Sequence, residues 1–450
     1  MPPNRRRGAM GRSVLLAPAT SQRYGFGMRN VLLLLSLLVT ADPALHAQAA
    51  AKSPASLSSA EMKQAESLFQ DYFAAADWEA RQQVAAKLAA IDHPSKADVA
   101  RLAKQSFAFF RQGPRLLDKR VQTCTDPKSP GSFLLDVPGP AKSGKPTGVF
   151  ICLHGGGAGV GDGAQIESLF GKPAPGLIQV YPTVLQKTDS AWNTEREEQY
   201  VLAILEDLKR SFAVDTNRVY LAGHSMGGYG TFSIGPRHAD LFAALSAQAG
   251  GVFVSGRDAG GVLGIEAGIV FNLLNLPIWF YNSTDDPQVR PDSSIRAAEE
   301  LDALKQQYGG FDFVFKKYSD IGHGLPKEGL KDIWKFMLAK KRDPLPKRVF
   351  WEPTRAYQRH CFWLRHPSPG GAKYDVARDG NRFTVTGGAG GLSILLNEKM
   401  VKFDQPVVVV DETGKELVQA RPRHSLLPLV ESLDAKRDPE MWFSAWVELP

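Results

Sequence analysis

The chain has 450 residues and a formal net charge of +7, and its composition, 43% hydrophobic, 22% charged and 10% aromatic, excludes a disordered or fibrous protein for the bulk of it. That length predicts two or three domains. Three cysteines, Cys124, Cys152 and Cys361, are too few for a disulfide framework and lack the paired spacing of a metal site.

The positive charge sits largely at the N terminus. Residues 1–47 carry Arg5, Arg6, Arg7, Arg12, Arg23 and Arg29 against the single acid Asp42, which leaves +2 for the remainder. A nearly neutral body has no electrostatic footprint for nucleic acid, and none is expected as a partner. After Arg29 comes the apolar run Val31–Val39, then Pro43 and small residues around Ala47-Gln48-Ala49. Basic, apolar and small segments in that order are the pattern of a secretory signal peptide over 1–47, with Met28 as an alternative start. The run is far short of the roughly 20 residues of a membrane span. The chain is therefore expected to be exported, to the periplasm or the medium, with no stable membrane span.

Residues 50–57 form an Ala/Ser/Pro-rich linker, and Ser58 with Glu61 then makes a capping-box pair. Three helical stripes follow: Met62, Ala65, Leu68, Phe69, Tyr72 and Phe73; then Val84, Leu88 and Ile91; then Val99, Leu102, Phe107 and Phe110, ending at Gly113-Pro114. Residues 58–113 are read as a helical extension packed on the main domain, with no chemistry of their own.

From about residue 130 short β-branched runs alternate with amphipathic helices, the rhythm of an α/β domain on a largely parallel sheet. Strands are predicted at Phe133–Leu135, Gly148–Leu153, Leu177–Tyr181 and Arg218–Ala222, with a helix from Tyr200 to Leu208. The last of these strands runs into Gly223-His224-Ser225-Met226-Gly227-Gly228. A Gly-x-Ser-x-Gly between strand and helix is a nucleophile elbow, in which flanking glycines permit a tight turn and the helix N-terminus faces the serine. His154-Gly155-Gly156-Gly157 follows the strand ending at Leu153. There the amides of Gly155 and Gly156 are expected to form an oxyanion hole with that of Met226, and His154 is read as an orienter rather than a base. A phosphate loop is excluded because no Gly-Lys-Ser/Thr follows.

A serine nucleophile needs a base, and the base needs an acid to hold its tautomer. Of nine histidines, His323 alone fits the chain order serine, acid, histidine: it lies in Ser319-Asp320-Ile321-Gly322-His323-Gly324, after the predicted strand Phe311–Phe315. The predicted strand Leu276–Tyr281 leads into Asn282-Ser283-Thr284-Asp285-Asp286-Pro287. Either aspartate suits the acid; the following Pro287 favours Asp286, and Asn282 is expected to support the loop. The segment from Gly250 to Asn275 reads either as a mobile cap over the site or as a loop plus a core helix.

These residues resemble the α/β-hydrolase superfamily, specifically secreted esterases of the polyhydroxybutyrate depolymerase and feruloyl esterase type and the neighbouring prolyl oligopeptidase-like hydrolases, over about residues 130–341. The resemblance implies Ser225 as nucleophile, Asp286 as acid and His323 as base, acting on esters or peptides. Asn282-Ser283 departs from the His-Gly usual at that place in the esterases. Trp192, beside Asn193 where such enzymes line the acyl pocket, is expected to border the substrate together with His154 and His224.

After Lys340–Pro346 the pattern becomes seven short strands: Val349–Trp351, Cys361–Leu364, Tyr374–Val376, Phe383–Val385, Leu392–Leu396, Val407–Val410 and Trp442–Val447. The overall expectation is an α/β-hydrolase sheet at 130–341 with the N-terminal helical extension and a C-terminal all-β sandwich at 347–450, the latter resembling a sandwich appended to some secreted hydrolases. The expected function is an exported serine hydrolase of carboxylic esters, extending to polysaccharide- or polymer-linked esters, with no metal or organic cofactor. Esters are favoured over peptides because no propeller domain accompanies the catalytic stretch. A serine peptidase is the first alternative and a non-catalytic cell-surface binding protein the second.

Overall fold

A computed structural model describes residues 56–450 apart from 118, 157–160, 189 and 190, and these lie in one compact unit, Lys52–Pro450. The expected signal peptide at 1–47 and Gly157 of the oxyanion motif lie outside the described residues.

Three helices open the fold: α1 (Ser59–Ala74), α2 (Trp78–Ala89) and α3 (Lys96–Phe110). Ser58 accepts a hydrogen bond from the Glu61 amide while the Glu61 carboxylate accepts one from the Ser58 amide, so the predicted capping box starts α1. The stripe Met62, Ala65, Leu68, Phe69 and Tyr72 is buried. Its partner is not the one expected. The helices share their core with Leu426, Leu429, Val430 and Leu433 of the C-terminal region instead of with the main sheet.

The central sheet comprises β1 (Val121–Thr123), β2 (Ser132–Asp136), β3 (Thr147–Leu153), β4 (Ile178–Pro182), β5 (Val214–His224) and β6 (Ala244–Gln248). A hairpin of β7 (Val254–Asp258) and β8 (Gly261–Ile265) intervenes before β9 (Ile278–Ser283) and β10 (Phe313–Tyr318) complete it. The spatial order is β1-β2-β4-β3-β5-β6-β9-β10, parallel from β4 to β10, with β2 antiparallel to both its neighbours. Helices connect the strands: α4 (Gly139–Lys142), α5 (Gly163–Phe170), α6 (Glu195–Ser211), α7 (Met226–Arg237), α8 (Asp292–Tyr308) and α9 (Lys331–Leu338). Both faces are covered, which is why β3 reads as an unbroken apolar run: Val149, Ile151 and Leu153 feed the core with α6 and α7, while Phe150 and Cys152 feed the one with α5 and α9. This is the α/β-hydrolase arrangement, and it brings the C-terminal ends of β5, β9 and β10 to one edge.

The C-terminal region contains β11 (Arg348–Trp351), β12 (His360–Cys361), β13 (Leu364–Arg365), β14 (Tyr374–Asp379), β15 (Arg382–Thr386), β16 (Ser393–Leu396), β17 (Val407–Asp411), β18 (Glu416–Ala420), α10 (Leu426–Lys436) and β19 (Ala445–Glu448). One sheet runs β11-β14-β15-β17-β18 and the other β12-β13-β16-β19. The run expected as a single strand over Cys361–Leu364 is a tight hairpin, pairing Cys361 with Leu364 and turning at Phe362, whose φ is +50°. Helix α10 breaks the expected all-strand pattern. Its apolar residues serve the N-terminal helices, a partner some 330 positions away in sequence that no local period reveals.

The segment expected as a domain boundary carries a buried junction. Arg342 ion-pairs Asp438 at 2.7 Å and donates to the Asp240 carbonyl and Asn217 Oδ1, each at 2.7 Å. Burial alone would push the Asp438 carboxyl up; Arg342 and Lys209 override that and hold it below the usual carboxylate range. The stabilisation is therefore complete above the unfolded pKa of about 4 and is lost as pH falls through the lower folded value. Arg342→Met leaves that carboxylate buried and unpaired, and should cost about 3–5 kcal/mol in urea unfolding at neutral pH. A loss below about 1 kcal/mol would show the junction to be incidental.

Candidate active site

Strand β5 ends at His224, α7 begins at Met226, and between them Ser225 holds φ +58° and ψ −120°, a conformation L-residues rarely adopt. Its amide donates to the Gln248 carbonyl on β6 at 2.8 Å, and its carbonyl accepts from the amides of Gly228 (2.9 Å) and Tyr229 (3.1 Å). The flanking glycines are required by contact. A Cβ on Gly223 would lie 2.1 Å from the Gly227 carbonyl oxygen, and one on Gly227 would lie 2.1 Å from that of Leu153.

Loops after β9 and β10 deliver the partners. Ser225 Oγ lies 2.8 Å from His323 Nε2, and His323 Nδ1 lies 2.7 Å from Asp286 Oδ2. A carboxylate only accepts, so Nδ1 carries the hydrogen and Nε2 presents its lone pair to the serine hydroxyl. The other carboxylate oxygen of Asp286 accepts from the amides of Gln288 (2.8 Å) and Val289 (3.0 Å), which fixes the plane of the group. Of the two aspartates, Asp286 is the one that reaches the histidine. Asp285 turns instead to the Ser283 hydroxyl and the Gly322 amide, the latter at 3.0 Å, and these bonds, the hydroxyl foremost, hold its carboxyl below the usual range.

Gly155 runs directly beneath the nucleophile: a Cβ there would lie 3.0 Å from Ser225 Cβ and 3.6 Å from its Oγ. Gly156 adopts φ +88°, and the Met226 amide, first in α7, has no acceptor within the helix. Gly155 and Met226 therefore lie against Ser225, and Gly156 follows Gly155 on the same loop.

The three residues expected to border the substrate are placed otherwise. His154 is fully buried; its Nδ1 bonds the Gly155 carbonyl at 2.7 Å and its Nε2 accepts from the Val184 amide at 3.2 Å. Burial pushes its imidazolium pKa down, so it is a neutral brace for the glycine loop. Trp192, on a 3₁₀ turn over Ala191–Asn193, is 1% exposed, donates its indole N–H to the His154 carbonyl at 3.0 Å and packs against Gly230 of α7. Asn193 accepts from the Ser233 hydroxyl at 2.6 Å. His224 is buried with its ring 5.2 Å from that of His323, and burial, with the neighbouring His323, pushes its pKa down to about 4. Asn282 lies buried at the end of β9 with neither amide atom partnered among the described residues, so it does not support the loop as expected. Burial depends on what packs over a side chain, which neither a motif nor a resemblance at a neighbouring residue specifies.

Two features were not anticipated. The segment from Gly250 to Asn275 is the β7–β8 hairpin and a 3₁₀ turn at Phe271–Asn275, with Arg257 of the hairpin ion-paired to Asp292 of α8. Tyr229, one turn into α7, packs its ring 5.3 Å from Phe253 and so ties this segment to the nucleophile helix. The only sequence signal was Tyr229 following the elbow glycines. Among the described residues no group of three or more His, Cys, Asp or Glu is placed to hold a metal, and no helix is long and apolar enough to cross a membrane.

Nucleophile, base and acid in one hydrogen-bonded line at the C-terminal edge of this sheet are the arrangement of a serine hydrolase of α/β-hydrolase fold. The model of the prolyl oligopeptidase family matches residues 186–259, the stretch that contains the elbow. Among curated proteins no sequence relative was found. Similar solved structures include a thermostable esterase (20% identity, TM-score 0.39, 49% of this chain and 62% of that one). Others are a ferulic acid esterase from Anaeromyces mucronatus in complex with ferulic acid (15% identity, TM-score 0.37, 52% and 94%) and an S-formylglutathione hydrolase from Agrobacterium tumefaciens (19% identity, TM-score 0.36, 48% and 90%). This chain thus spans less than two thirds of the length of the thermostable esterase.

Proposed function

We propose that the protein is an exported hydrolase of carboxylic esters working through an acyl-enzyme. The observation that carries the reading is the continuous hydrogen-bond line from Ser225 Oγ through His323 to Asp286. Ser225 attacks the acyl carbonyl as His323 Nε2 takes its proton; the amides of Gly155, Gly156 and Met226 receive the negative charge that develops on the carbonyl oxygen. The alcohol leaves with the proton from His323, and water repeats the sequence on the acyl-enzyme. A His-Gly-Gly oxyanion loop of the kind found in lipases and esterases supports esters as the substrate. Export rests on the N-terminal sequence pattern. The family match over 186–259 favours a serine peptidase as the second reading.

The test is turnover of p-nitrophenyl acetate and butyrate, a feruloyl ester and a prolyl-peptide anilide by protein beginning at Gln48. Ester turnover without anilide cleavage supports the esterase, and anilide cleavage moves the protein to the peptidases. No turnover of any of them would favour a binding role. Export is tested separately, by fractionating cells that express the full chain: N-terminal processing near Ala47 in the exported fraction is expected, and retention in the cytoplasm would overturn it.

A further inference from the structure

His323 lies on an irregular loop, Ser319–Pro326, between β10 and α9, with no ladder to position it. The Asp286 bond alone fixes one atom of the imidazole and leaves the loop free to pivot about it. A further contact removes that freedom. The Asp285 carboxylate accepts from the Gly322 amide at 3.0 Å and is itself held by the Ser283 hydroxyl of β9. Gly322 adopts φ +55°, which turns its N–H toward that carboxylate. From the other side the His224 ring packs 5.2 Å from that of His323.

We propose that Asp285 is a positioning residue that clamps the base loop, so that the adjacent pair Asp285-Asp286 divides the work, one gripping the main chain and the other the imidazole. The proposal rests on the serine-hydrolase reading. It explains why a side chain beside the acid hydrogen-bonds Ser283 and the base loop rather than the imidazole.

The experiment compares wild type, Asp285→Ala, Asp285→Asn and Ser283→Ala for kcat, KM and the rate of fluorophosphonate labelling. Asp285 is exposed, so thermal unfolding of its variants should follow wild type. Asp285→Ala should lower kcat and the labelling rate about 10- to 100-fold with KM within about twofold, since misplacing a catalytic group by about 1 Å has that effect. Asparagine keeps an acceptor for the Gly322 amide and should restore activity to within about threefold of wild type. Ser283→Ala should fall between them.

Wild-type kcat in Asp285→Ala would overturn the clamp, as would equal loss in the alanine and asparagine variants. A wild type that neither turns over ester nor takes the label would overturn the serine-hydrolase reading beneath it.

Discussion

Ser225→Ala is expected to lower kcat for p-nitrophenyl butyrate by at least about 10⁴-fold and to abolish fluorophosphonate labelling, because the remaining groups then have no nucleophile to activate. The loss should come without unfolding, since the elbow is held by main-chain bonds to Gln248, Gly228 and Tyr229 that alanine preserves. Stability separates this site from an ordinary surface serine. A non-glycine residue at φ +58° carries strain of about 1–3 kcal/mol. Ser225→Gly should therefore be as inactive as the alanine variant yet more stable than wild type by about 1 kcal/mol in urea unfolding, after the entropy that glycine adds to the unfolded chain. Residual turnover above about 1% in both variants would place the nucleophile elsewhere.

Asp286→Asn should lower kcat by about 10⁴-fold with KM nearly unchanged. The direction follows from the hydrogen bonds. Two main-chain N–H groups, of Gln288 and Val289, point at one oxygen of Asp286. An asparagine must keep its carbonyl oxygen there, and its NH₂ then faces His323 Nδ1. The imidazole can satisfy that donor only with a bare Nδ1, which puts the hydrogen on Nε2, aimed at a serine it should be deprotonating. The fold is untouched and the tautomer is wrong. Asp285→Asn makes no such change, so the same substitution one residue away should cost about threefold at most. Similar losses at the two positions would contradict the division of roles between them.

The contrast between these neighbours shows where sequence reading stops. Asp285 and Asp286 have the same chemistry and nearly the same local context. What distinguishes them is that one reaches the imidazole and the other the Gly322 amide, each 37 positions downstream. The histidine was legible because the order of serine, acid and base along an α/β-hydrolase chain leaves His323 as the one position that fits. His154, Trp192 and His224 were legible as residues near the site but not as buried ones. Proximity in a motif locates a main chain, whereas burial depends on what packs over it, here Val184, Gly230 and the His323 loop.

Local interactions account for what was read correctly along the chain. A capping box at Ser58 and Glu61, the apolar run of β3, and the glycine at 223, packed on the Gly227 carbonyl four residues on, are each written within a few residues of sequence. Helix α10 beneath the N-terminal helices, the buried Arg342–Asp438 pair and which aspartate reaches His323 are settled only by packing. Each depends on a contact between segments far apart in sequence, whose geometry is fixed by the whole core rather than by the residues that make the contact.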